Sequence, residues 1–98
     1  MSEASSGPDQ VIREFLIVNQ RGLHARASAK FVQVASAFEA TVDVERDGMK
    51  VGGTSIMGLM MLAASPGSSI RVSASGPQAE EVLAALDELI ASRFGEEI

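Results

Sequence analysis

The chain contains no cysteine, no tryptophan and no tyrosine, and a single histidine among its 98 residues. Without cysteine there is no disulfide framework and no thiolate metal site. One histidine also brings too few ligands for a zinc centre of the usual kind. The lack of cysteine fits a reducing, cytoplasmic setting. Basic residues are scarce, with 8 Lys and Arg against 13 Asp and Glu and a net charge of −5. Nucleic-acid binding needs clustered cations, so this balance speaks against it. No apolar run reaches the ~18 residues that a membrane span requires. The first ten residues are polar and acidic, without the basic and apolar regions of a signal peptide.

What is present suggests one folded unit. Hydrophobic residues make up 46% of the chain, enough for a single core at this length. Residues 1–10, with Ser, Gly and Pro and no apolar period, read as a flexible tail, and residues 11–98 as the domain. The β-branched and aromatic run from Val11 to Val18 predicts a strand, with Phe15 and Ile17 on one side and Leu16 and Val18 on the other. Gly22 supplies a turn, and Ala25 to Phe38 reads as a helix with a stripe of Leu23, Ala27, Phe31, Val34 and Phe38. Thr41–Glu45 alternates as a half-buried strand. Asp47-Gly48 is a hairpin signal, and Met49–Val51 forms the return strand. Thr54 or Ser55 caps a short helix from Ile56 to about Leu62, and Ile70, Val72 and Ala74 mark a further strand. The last helix starts at Pro77, with Glu80 and Glu81 in its first turn, Arg93 in its last and Gly95 as its C-terminal cap. The order β-α-β-β-α-β-α predicts an α+β, open-faced two-layer sandwich, with three helices on one face of a four-stranded antiparallel sheet.

The most informative stretch runs from Asn19 to Phe31 and holds the only histidine, His24. A histidine just after a glycine turn and at a helix start lies beside backbone N–H groups that have no intrahelical partner. Those donors and the positive helix end favour an anion. Arg26 adds a guanidinium fork suited to phosphate oxygens. Arg21, Arg26 and Lys30 together form a positive island on an acidic chain. A lone histidine is more often without a role, but this setting points to a phosphohistidine. A Ser-His-Asp triad lacks its Gly-x-Ser-x-Gly elbow. The segment Gly48–Ser55 faintly resembles a phosphate-binding loop, but its lysine is out of place and the hairpin already explains Gly48.

The run Gly22-Leu23-His24-Ala25-Arg26 resembles the active-site signature of HPr, the histidine-containing phosphocarrier family of the phosphoenolpyruvate-dependent phosphotransferase system. A second run, Gly53 to Leu62, is similar to that family's regulatory serine region, and the likeness extends from about Glu14 to Phe94. The resemblance implies a stoichiometric carrier rather than an enzyme. By that analogy His24 accepts a phosphoryl group on Nδ1 from phosphorylated Enzyme I and passes it to a histidine of an Enzyme IIA-type protein. The backbone N–H groups of Ala25 and Arg26, and the Arg26 side chain, stabilise the transferring group. No metal or cofactor is implied, and a monomer is expected.

The same resemblance implies phosphorylation of Ser55 by an HPr kinase/phosphorylase, beside its plain role as a helix cap. It also places Ile56, Met57 and Met60 in a partner-binding patch, for which adaptable methionines are suited. Family members that transport sugars usually carry proline after the active-site arginine; Ala27 stands here instead. Ala-Arg-Ala followed by Ala29-Lys30-Phe31-Val32 resembles the nitrogen-related branch, which feeds a regulatory acceptor. Two alternatives remain open: a regulatory binding module that acts through phosphorylated Ser55, and a small ligand-binding domain without phosphotransfer.

Overall fold

The computed structural model describes residues 10–96. The chain runs β1 (Gln10–Leu16), α1 (Ala25–Ala35), β2 (Thr41–Arg46), β3 (Met49–Gly52), α2 (Ile56–Met61), β4 (Ser69–Ser75) and α3 (Ala79–Ala91), and ends in a 3₁₀ turn over Arg93–Gly95. Residues 1–9 of the expected tail lie outside the described residues. Gln10, expected in that tail, opens β1 instead because it pairs with Ser75.

The four strands form one antiparallel sheet in the order β1-β4-β2-β3. Alternation decides which way each side chain faces. Phe15, Val42, Val44, Ile70, Val72 and Ala74 point inward and are buried. The three helices cover that face, with α3 on β1 and β4, α2 against β3, and α1 packed on both other helices. The outer face stays open. Glu14, Arg71, Glu45 and Lys50 stand opposite one another across all four strands, a row of alternating sign. Arg71 and Glu14 approach to 3.7 Å. Such exposed pairs add little stability, and the charges of Glu14 and Lys50 on the edge strands β1 and β3 discourage pairing with further strands.

The Asp47-Gly48 hairpin forms as the dipeptide predicts. Asp47 has φ +52 and Gly48 φ +83, the pair of positive angles that a type I′ turn requires and that matches the strand twist. Several boundaries differ from the sequence reading, and β1 stops at Leu16, short of Val18. α1 ends at Ala35, and Ala27, Phe31 and Ala35 carry its buried face. Val34 and Phe38 are only half-buried, because the i, i+4 spacing of Ala27, Phe31 and Ala35, rather than the 4-3 stripe, faces the core. α3 begins at Ala79 with Gln78 as its cap, not at Pro77. Arg93 lies beyond the helix: α3 is capped at Ser92, and Arg93 and Phe94 take the left-handed conformation, with φ +60 and +55. Gly95 therefore closes the 3₁₀ turn, not α3. The Phe94 side chain is 1% exposed, and its burial in the core offsets that backbone cost.

Candidate functional site

The site begins with the turn that ends in His24. Gly22 has φ +63, and a Cβ on it would lie 2.2 Å from the Ala64 carbonyl oxygen. The Leu23 N–H donates to that same carbonyl at 2.9 Å. The loop after α2 thus backs the turn before α1, and no residue larger than glycine fits at position 22. Buried Leu23 follows, and His24 then takes an extended conformation as the N-cap of α1. The first intrahelical bond runs from the Ser28 N–H to the His24 carbonyl at 2.8 Å. The N–H groups of Ala25, Arg26 and Ala27 precede it and have no partner within the helix.

The histidine does not cap those groups with its own side chain. Its Nε2 instead meets the Glu96 carboxylate, at Oε2. The other carboxylate oxygen, Oε1, accepts from Asn19 Nδ2 at 3.0 Å, and the same Nδ2 donates to the Gly22 carbonyl at 2.9 Å. Asn19 is fully buried, and its Oδ1 is without a hydrogen-bond partner among the described residues. Burial pushes the Glu96 carboxyl up, but it is outweighed. Hydrogen bonds from His24 and Asn19, then the charges of His24 and Arg21, hold Glu96 below the usual carboxylate range. The side chains of His24 and Glu96 are 23% and 11% exposed, so the pair is sheltered without being sealed.

Ala25 and Arg26 are both exposed, at the first two positions of α1 beside the imidazole. Lys30 has a different task from the one its place in the positive island suggested. Its Nζ donates to the Phe94 carbonyl at 2.7 Å, tying α1 to the chain's last turn. Ser55 is exposed and caps α2, its Oγ accepting from the Gly58 N–H at 3.0 Å. Ile56, Met57 and Met60 are exposed on the same helix, with Met57 at 74%. Leu59 and Leu62 turn inward. The residues singled out in the sequence thus fall into two groups, one at the α1 start and one on α2, and the two helices pack against each other.

Sequence reasoning missed Asn19 and Glu96. Asn19 opens the stretch that holds His24, but nothing local marks it as buried. Glu96 follows a glycine with no periodicity around it, and it reaches the site only through the left-handed turn at Arg93 and Phe94. No group of three or more His, Cys, Asp or Glu among the described residues is arranged to hold a metal ion. None of the described helices is long and apolar enough to cross a membrane.

Imidazole, free N–H groups and a guanidinium at one helix start can accept and hold a phosphoryl group. Comparison with known proteins shows the family. The family model of the PTS HPr component phosphorylation site matches residues 11–92. The phosphocarrier protein HPr of Cupriavidus necator is 50% identical over 84 residues, which cover 86% of this chain and 94% of that protein. The crystal structure of HPr-C-His from Thermoanaerobacter tengcongensis superposes with a TM-score of 0.85 at 46% identity, covering 90% of this chain and 99% of that one. An HPr dimer from the same organism superposes with a TM-score of 0.71 at 44% identity, covering 98% of this chain and 100% of that one. With its fold and its sequence in agreement over most of its length, the chain belongs to the HPr family of phosphocarrier proteins of the phosphotransferase system.

Proposed function

We propose that His24 is the phosphoryl acceptor, receiving the group from phosphorylated Enzyme I and passing it to a histidine of an Enzyme IIA-type protein. The observation that carries this reading is the imidazole at the α1 N-cap, which leaves the first-turn N–H groups uncapped by its own side chain. A neutral ring nitrogen attacks phosphorus as the donor's nitrogen–phosphorus bond breaks and the donor imidazole leaves. The transferring group is loose and carries its charge on three equatorial oxygens. The N–H groups of Ala25 and Arg26, with the Arg26 guanidinium, stabilise those oxygens. The protein is restored by the second transfer, so it is consumed and regenerated in step with its partners rather than turning over alone.

Ser55 serves as the regulatory site in this reading. Its hydroxyl is exposed, and phosphate at a helix start is electrostatically tolerated. Modification would leave α2 folded while adding negative charge beside Ile56, Met57 and Met60, the patch on which partners dock. Complexes on so small a patch are transient. Ala27 is fully buried at the third position of α1, where a proline would forfeit no helical bond. Alanine there supports the nitrogen-related, regulatory branch. A monomer completes the reading, and sedimentation measures it directly against the dimer formed by the Thermoanaerobacter tengcongensis relative.

The test is incubation with Enzyme I and phosphoenolpyruvate, followed by intact mass and acid treatment, with His24→Ala and Arg26→Ala in parallel. One acid-labile phosphate is expected, absent from His24→Ala and slower to appear in Arg26→Ala. A folded protein that takes no label from an active Enzyme I would refute the reading.

A further inference from the structure

We infer that Glu96 is a positioning residue for phosphoryl transfer: it engages Nε2 of His24 and so makes Nδ1 the accepting nitrogen. This rests on the reading of His24 as the acceptor and deepens it.

A neutral imidazole carries its proton on one nitrogen and its nucleophilic lone pair on the other. What the protonated nitrogen donates to decides which one attacks. Here the carboxylate of Glu96 lies against Nε2. A carboxylate held ionised accepts and does not donate, so the proton belongs on Nε2. Nδ1 is left with its lone pair, and it caps none of the first helical N–H groups.

The contact is built from several directions. Asn19 presents its NH₂ group to two acceptors at once, the Gly22 carbonyl at 2.9 Å and Glu96 Oε1 at 3.0 Å. Both partners accept, so the amide cannot be turned round. Its Oδ1 is left buried with no partner among the described residues. An orphaned buried oxygen is costly, and it persists here because the amide is committed to the turn and to Glu96. From the other side, the chain reaches Glu96 through three left-handed residues, Arg93, Phe94 and Gly95, of which Phe94 is fully buried and has its carbonyl held by Lys30. Anchors in the loop before α1, on α1 and in the 3₁₀ turn fix one carboxylate against one ring nitrogen. That is the pattern by which an outer group orients a reacting histidine.

Phosphoramidate tests this without any protein partner. The lone pair of a ring nitrogen attacks its phosphorus, the bond to nitrogen breaks, and ammonia leaves. Phosphorus NMR then distinguishes phosphate on Nδ1 from phosphate on Nε2. The native chain should label at Nδ1 alone. Glu96→Ala and Glu96→Gln should label at Nδ1 roughly 3- to 10-fold more slowly, the rate equivalent of one net hydrogen bond. They should also gain phosphate on Nε2, with amide spectra unchanged outside the residues around positions 19–25 and 93–98. A merely structural role would slow labelling without moving it to the other nitrogen. Glu96 variants that label at Nδ1 alone, at the native rate, overturn this inference and leave His24 as the acceptor. A folded native chain that takes no phosphate on His24 overturns both.

Discussion

Gly22 and Ala64 are in backbone contact, close enough that a Cβ on the glycine would lie 2.2 Å from the alanine's carbonyl oxygen. The two segments that meet there are the turn before His24 and the loop after α2. Gly22→Ala must both displace that loop and hold a positive φ of 63°. The combined clash and strain should cost about 3 kcal/mol, read as a lower midpoint in urea. The phosphate-accepting rate should fall as well, because the His24 turn moves with its support. A variant as stable and as active as the native chain would show that the contact yields without cost.

Glu96 makes stability depend on pH in one direction. Its folded pKa lies below its unfolded value, despite burial, because of the His24 and Asn19 hydrogen bonds and the charges of His24 and Arg21. A depressed carboxyl stabilises the fold above its unfolded value, on the order of pH 4, and loses that contribution as pH falls through the folded one. The stability gap between the native chain and Glu96→Gln should therefore be steady above the carboxylate range. It should close in acid below it, as followed by denaturant midpoints across a pH series. A gap that widens in acid would contradict this assignment.

Phe94 anchors the segment that delivers Glu96. Removing the ring by Phe94→Ala should cost about 3–5 kcal/mol, as for other large buried aromatics, since the side chain is 1% exposed. The same variant should reproduce the mixed labelling expected of Glu96→Ala at temperatures where it is fully folded. Native-like stability would mean that the pocket fills from elsewhere.

Ser55 separates capping from charge. Ser55→Ala removes the acceptor for the Gly58 N–H and should cost about 1 kcal/mol. Aspartate is an equally good cap, so Ser55→Asp should leave stability within about 0.5 kcal/mol of native. It should nevertheless slow transfer from Enzyme I to His24, measured by quenched-flow labelling. An unchanged rate would remove the inhibitory role assigned to this serine.

Much of this architecture is legible in local pattern. The alternation of Val42 and Val44, the Asp47-Gly48 turn and the face made by Val82, Leu83, Leu86 and Ile90 each follow from neighbouring residues alone. So does His24 at a helix start, because Gly22 and the alanines after it are adjacent in sequence. Phe94 and Glu96 are different. A lone aromatic beyond a helix and an acid after a glycine have no period to betray them. Their positions depend on two left-handed backbone angles that favour neither Arg93 nor Phe94. Lys30 looks like part of a basic island in sequence, because its partner, the Phe94 carbonyl, has no sequence signature. Phe38 continues the apolar stripe in sequence, yet α1 ends at Ala35, because only the packed core decides which face of the helix is buried.

The contact between His24 and Glu96 spans 72 positions of the chain, and β1 reaches its partner β4 across a comparable interval, with Gln10 opposite Ser75. Closing loops of that size is slow, because their entropy is lost before any distant contact forms. The β2–β3 hairpin needs none of this and can form early. Until β4 and α3 have docked, His24 has no carboxylate at Nε2. A donor that depends on that geometry would therefore discriminate against half-folded molecules, and the oriented imidazole becomes a late signal that folding has finished.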